Sequence, residues 1–167
     1  MICVLSLVSC KNAGDNKTGS NVKEDNGSGF TLLLKDASLL QVDSNPEYNT
    51  AEWSFTVKQP GRYDIWLSSL TCDTSNVLFA SDVTITAGDT RIEKKPVSDQ
   101  IITDDASVKS PWVRADSHMG SVFFSEPGEY QVQVISDRVV PSASEEKTAK
   151  TNNQTLIKSL ILKPSVN

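Results

Sequence analysis

Apolar and polar residues alternate with a period of two through most of the chain beyond residue 30. Trp53, Phe55 and Val57 alternate with Ser54, Thr56 and Lys58, and Tyr63, Ile65 and Leu67 alternate with Arg62, Asp64, Trp66 and Ser68. This is the signature of strands with one buried face. Two of these segments recur. WSFTVKQPGRYDIWLSS at 53–69 returns as GSVFFSEPGEYQVQVIS at 120–136, so that Pro60-Gly61-x-Tyr63 falls on Pro127-Gly128-x-Tyr130. Each copy predicts two alternating strands around a Pro-Gly turn, either a half-buried antiparallel hairpin or a sheet corner. Further strands are predicted at 82–87 and 90–94 around Gly88-Asp89, at 121–125, at 129–136 and at 156–162. Residues 30–35 and 37–42 predict an entering strand broken at Asp36. The sum is about eight short strands and no segment of helical period, an all-β chain folded as a two-sheet antiparallel sandwich.

Turn lengths add an orientation. The connections at Pro60-Gly61, Gly88-Asp89 and Pro127-Gly128 are tight, while those at 43–51, 70–81, 95–119 and 137–155 are long. If successive strands run antiparallel, all long loops lie at one end of the sandwich, where ligand-binding residues are most often found.

Before residue 30 the composition is different. Residues 11–29, KNAGDNKTGSNVKEDNGSG, are polar and glycine-rich and read as a flexible tether. Ahead of them, Leu7-Val8-Ser9-Cys10 ends a short apolar run and resembles the cleavage box of a bacterial lipoprotein leader. That resemblance implies a truncated signal peptide at 1–9, a diacylglycerol on Cys10, a tether to residue 29 and a folded domain over 30–167. Each buried acyl methylene contributes about 0.8 kcal/mol, enough in sum for a firm anchor. The implied location is the bacterial outer membrane, lipid-anchored and facing either the periplasm or the exterior. With Cys3 removed and Cys10 lipidated, Cys72 is the remaining thiol, so no internal disulfide is expected.

A net charge of -5 over 167 residues provides no basic stripe for phosphates and excludes nucleic acid as an expected partner. No spacing of Ser, His and acid residues matches a nucleophile-activation motif, so the chain is not expected to be an enzyme. One histidine, His118, is too few for a zinc site built on imidazoles. No cofactor is expected, although Asp104-Asp105 and Asp43 with Glu47 offer loop carboxylates of the kind that hold calcium.

Six side chains are candidates for ligand contact. Trp112 falls in a long polar stretch, SPWVRADSHM, where an exposed indole would stack on a sugar ring while Arg114, Asp116 and His118 bond hydroxyls. The competing role for Trp112 is a plug beneath a loop. Tyr48, beside Asn49, extends the same rim from the first long loop. Trp66 has the opposite parity to Tyr63, Ile65 and Leu67, which places it on the solvent side of its strand as a ligand platform or protein contact.

The pattern W-x-F-x-V-x-x-P-G-x-Y-x-I at 53–65, Trp112 with the Gly-x-V strand at Gly120, P-G-x-Y-x-V-x-V at 127–134 and the closing LIKSLILKP at 156–164 together resemble the galactose-binding-like jelly-roll domains. Those domains accompany bacterial fucosidases, sulfatases and other glycan-processing enzymes and are related to carbohydrate-binding modules. The resemblance is one of core pattern and implies the fold more than an activity; together with the loop lengths it gives the expectation of a non-catalytic module that binds a carbohydrate at its long-loop end. The alternative expectation is a structural module that docks onto an envelope protein partner. Many calcium-holding members carry an acidic residue in the last strand where this chain has Lys158.

Overall fold

The structure is a computed structural model, which describes residues 28–74, 79–140 and 155–165. The expected signal peptide at 1–9, the expected lipidation at Cys10 and the expected tether as far as residue 27 lie outside the described residues. Ten strands are described: β1 (Phe30–Leu33), β2 (Ser38–Leu40), β3 (Thr50–Val57), β4 (Gly61–Thr71), β5 (Val83–Ala87), β6 (Thr90–Lys94), β7 (Gln100–Ile102), β8 (Val113–Phe124), β9 (Gly128–Ile135) and β10 (Leu156–Pro164). They form two five-stranded antiparallel sheets, β1-β10-β4-β8-β7 and β2-β3-β9-β5-β6.

The chain changes sheets between β1 and β2, β3 and β4, β4 and β5, β6 and β7, β8 and β9, and β9 and β10. Remove the short edge strands β2 and β7 and the remaining orders, β1-β10-β4-β8 facing β3-β9-β5-β6, are those of a jelly roll. The expected sandwich is therefore present. One strand differs from expectation, β7, which lies in a polar stretch; the entering segment is broken at Asp36 as expected, by a 3₁₀ turn at Leu34–Asp36 that carries the chain from one sheet to the other.

The repeat has a physical basis. Each Pro-Gly turn is a corner between sheets, and each is closed by the tyrosine that follows it. Tyr63 donates its hydroxyl proton to the Gln59 carbonyl at 2.7 Å and Tyr130 to that of Glu126 at 2.9 Å, the same four-residue span. The two corners interlock, since β3 pairs with β9 and β4 with β8. The rings pack where the corners meet: Phe124 lies 5.8 Å from Phe55, 5.6 Å from Tyr63 and 4.5 Å from Tyr130, and Phe30 lies 4.8 Å from Phe55. Alternation then fills the space between the sheets with Ile65 and Leu67 from β4, Leu160 and Leu162 from β10, Val83 and Ile85 from β5, and Val132 and Val134 from β9, all buried. Trp53 is buried as its parity requires, and its indole N–H donates to the Leu33 carbonyl at 2.9 Å.

The registers Leu40↔Thr50, Thr50↔Ile135, Thr84↔Ile135, Leu156↔Leu70 and Thr71↔Val113 place the long connections at one end, opposite the tight turns.

Candidate functional site

The stretch expected to be a loop from 95 to 119 is in part strand. β8 begins at Val113, so Arg114, Asp116 and His118 stand on a sheet rather than in a loop at the end of the sandwich. The reason is pairing: β4 continues to Thr71, and its outer residues need a partner strand. The register sets Trp66 against His118, Ser68 against Asp116 and Leu70 against Arg114.

A β-bulge puts all three on the outer face. Between Ile65↔Gly120 and Trp66↔His118 one extra residue, Met119, enters β8 and turns into the core. Side chains 115, 117 and 119 then point inward on one side of the bulge, and 122 and 124 on the other. Without that slip His118 would share the inward parity of Val122 and Phe124. Gly120 makes the slip possible: its φ is +145°, and a Cβ there would lie 3.0 Å from Ile92 Cδ1. A second bulge, between Ile157 and Ser159 of β10, releases Lys158 from the pairing and lets its ammonium reach the same outer face.

Trp66 stands near the middle of this face. Its ring lies 5.0 Å from the His118 ring, and Lys163 Nζ sits 5.2 Å from its centroid, a cation–π contact. Asp64 Oδ1 is 3.8 Å from His118 Nε2. Toward the long-loop end the face becomes ionic. Arg114 grips Asp116 through two parallel bonds, Nε to Oδ1 at 2.8 Å and Nη2 to Oδ2 at 2.6 Å, and its Nη1 donates to Asp105 Oδ2 at 3.2 Å. Lys158 Nζ donates to the same Asp105 oxygen at 3.2 Å and to Ser107 Oγ at 2.7 Å. The backbone N–H and the hydroxyl of Ser107 both donate to Asp105 Oδ1. Beside this network runs a groove of about 340 Å³, walled by Thr31 and Leu33 of β1, floored by Ser68, Ser159 and Ile161, and closed by Asp105, Ser107, Arg114 and Lys158.

The Ser107 hydroxyl, its backbone N–H, Arg114 and Lys158, in that order and against the opposing effect of burial, hold the Asp105 carboxyl well below the usual carboxylate range. Since the folded form binds its proton less readily than the unfolded chain, the stabilisation is complete above about pH 4, the ordinary aspartate value, and drains away as pH falls below it. The melting temperature is expected to drop between pH 4 and pH 2, and Asp105→Asn is expected to flatten that drop; identical acid profiles for the two proteins would refute the assignment.

Of the six candidates from sequence, four meet on this face: Trp66, Arg114, Asp116 and His118. Tyr48 does not. It is 62% exposed in the 3₁₀ turn Pro46–Tyr48, between two strands of the other sheet. Trp112 is half-buried in the turn just before β8, where its backbone N–H donates to the Lys109 carbonyl. Asp64, Ser68, Ser107, Lys158 and Lys163 complete the face but were not candidates for ligand contact. A signal for the two bulges was present as a change of apolar parity, from Ala115 and Met119 to Val122 and Phe124, and from Ile157 to Leu160 and Leu162.

Asp105 is not open to a calcium ion. Both oxygens of Asp105 already accept hydrogen bonds from Ser107, Arg114 and Lys158, so two cationic side chains stand where an ion would need open lone pairs. Asp43 and Glu47 are exposed in the β2–β3 connection, and no three His, Cys, Asp or Glu side chains converge among the described residues. Cys72 is half-buried just past the end of β4. The second sheet carries a wider trough of about 650 Å³, lined by Thr86, Gly88, Glu129, Tyr130, Gln131 and Gln133. Its aromatic offers no free platform, since the Tyr130 ring packs on Phe124 and its hydroxyl is bound to Glu126.

No protein-family model matches the chain, and no curated protein matches it by sequence. Among solved structures it is similar to an α-L-fucosidase from Vibrio sp. strain EJY3, with a TM-score of 0.65 and 22% identity over 89% of this chain. It is more distantly similar to a Podospora anserina GH26-CBM35 β-(1,4)-mannanase, with a TM-score of 0.49 and 12% identity over 84% of this chain. The chain spans 25% of the fucosidase chain and 28% of the mannanase chain. At this identity the likeness to the fucosidase establishes a shared β-sandwich fold, in keeping with what the sequence resemblance implied for the fold.

Proposed function

We propose that this chain is a non-catalytic carbohydrate-binding module, carried on a lipid anchor at the bacterial cell envelope, that holds its ligand across the outer face of the β1-β10-β4-β8-β7 sheet. One observation carries the reading. An indole on a sheet face, flanked by an imidazole, a carboxylate and an ammonium, is the combination that recognises a sugar ring: an apolar platform for its C–H face and polar groups at its edge for the hydroxyls. The jelly-roll order and the likeness to part of a fucosidase support it as fold-level analogy. The lipobox at Cys10 supports the anchor. The ion pairs of this face support the non-catalytic assignment in part: Asp105 and Asp116 are committed to Arg114 and Lys158, which leaves neither as a general acid.

Affinity electrophoresis against a glycan panel tests the reading. Trp66→Ala is expected to weaken binding by about 10-fold or more, the loss of one stacking contact and its flanking bonds, whereas Tyr48→Ala is expected to leave it unchanged. A wild-type protein that binds no glycan, yet captures an envelope protein that Trp66→Ala no longer captures, would replace this reading with the docking alternative.

A further inference from the structure

The donors and acceptors around the β1-side groove do not balance. Each Asp105 oxygen accepts two bonds, and each Asp116 oxygen is engaged by Arg114. The Ser107 hydroxyl donates to Asp105 and accepts from Lys158. Asp105 is therefore saturated as an acceptor, and Asp116, gripped by Arg114, does not line the groove. Donors remain: Arg114 uses three of the five N–H groups of a guanidinium, and Lys158 two of the three of an ammonium. Lys163 also lines the groove and, among the described residues, has the Trp66 ring as its partner. At the floor lies Ser68, fully buried, its hydroxyl without a hydrogen-bond partner among the described residues. Buried hydroxyls rarely go unpaired, so this one points to a group that arrives from outside.

Charge agrees with the donor count. The charged side chains lining the groove are Asp105 against Arg114, Lys158 and Lys163; with Asp116 paired to Arg114 beside it, cations still outnumber carboxylates three to two in a chain whose net charge is -5. Ile161 lines the same groove and is the cross-strand partner of Trp66, so a ligand seated there continues onto the indole. The volume, about 340 Å³, lies near the lower end of ligand pockets and suits one sugar residue.

Resting on the glycan-binding reading, we propose that this groove receives the anionic substituent of an acidic sugar residue, a carboxylate or a sulfate ester, through Lys163, Lys158, Arg114 and the Ser68 hydroxyl, while the sugar ring extends over Ile161 toward Trp66. Specificity for an acidic glycan follows, because a neutral hydroxyl in the same place would leave the surplus positive charge unmatched.

Calorimetry with three probes tests this: galacturonic acid oligomers, the same oligomers after carboxyl reduction, and sulfated galactose oligomers. At least one anionic probe is expected to bind about 10-fold more tightly than the reduced one, with an affinity that falls as salt rises. The carboxylated and sulfated arms identify which anion is recognised. Lys163→Gln, at an exposed position, and Ser68→Ala are each expected to reduce that preference by about fivefold with the melting temperature held or raised. Equal binding of reduced and anionic probes, or a preference that survives both substitutions, would overturn the proposal and leave the glycan reading standing. Silence from all three probes and from the neutral glycan panel would remove both.

Discussion

Phe124→Ala is expected to destabilise the domain by about 3–5 kcal/mol, the usual cost of emptying a phenylalanine site in a core that cannot collapse to fill it. Its ring contacts Phe55, Tyr63 and Tyr130 at the point where both Pro-Gly corners meet, and it is 1% exposed. The cavity would separate the two sheets at their shared seam instead of opening at an edge. The neighbouring Phe123 makes a sharp control. It is 62% exposed on the outer face, and Phe123→Ala is expected to change stability by less than about 0.5 kcal/mol. Urea unfolding of the two variants measures the difference; equal midpoints would mean that the ring cluster does not hold the corners together.

The second large effect concerns Asp116. Its carboxylate is 1% exposed and both oxygens accept from Arg114, which is itself 22% exposed. Asp116→Ala leaves a guanidinium mostly out of water with Asp105 as its remaining carboxylate. Breaking a fully buried pair from one side costs about 3–5 kcal/mol, and the partial exposure of Arg114 reduces that to about 2–3 kcal/mol. Arg114→Met in the same background is expected to recover most of the loss, because the penalty comes from the unpaired charge. If the double substitution is no more stable than Asp116→Ala alone, the pair is not what supports this end of β8. The same variants connect stability to binding, since Arg114 is shared by the ion pair and the groove.

Much of the sandwich was legible because burial between two sheets imposes a period of two that local composition cannot hide. Tyr63, Ile65 and Leu67 are inside and Trp66 is outside, as their parity requires. The Pro-Gly repeat marked both corners, although sequence left a hairpin and a corner equally open; only the strand partners distinguish them. β7 was missed because a three-residue edge strand buries too little to show a pattern. The site was half legible. Trp66 follows from parity alone, whereas Arg114, Asp116 and His118 were chosen for their chemistry and assigned to a loop. The polar residues of β8 line the outer face on one side and, at Ser117, pair with the Ser98 backbone N–H on the other, so the usual apolar stripe is interrupted there.

The sequence by itself determined the fold class, the positions of the two Pro-Gly turns and the faces of the central strands, since each follows from short-range alternation and from turn residues that restrict the backbone. Tertiary structure alone decided that residues about fifty positions apart share one surface, that Lys158 and Asp105 neutralise each other, and that Ser68 is buried beneath a groove. These depend on register and on two bulges, which are set by how whole strands pair, and a one-residue slip carries no fixed local composition to announce it.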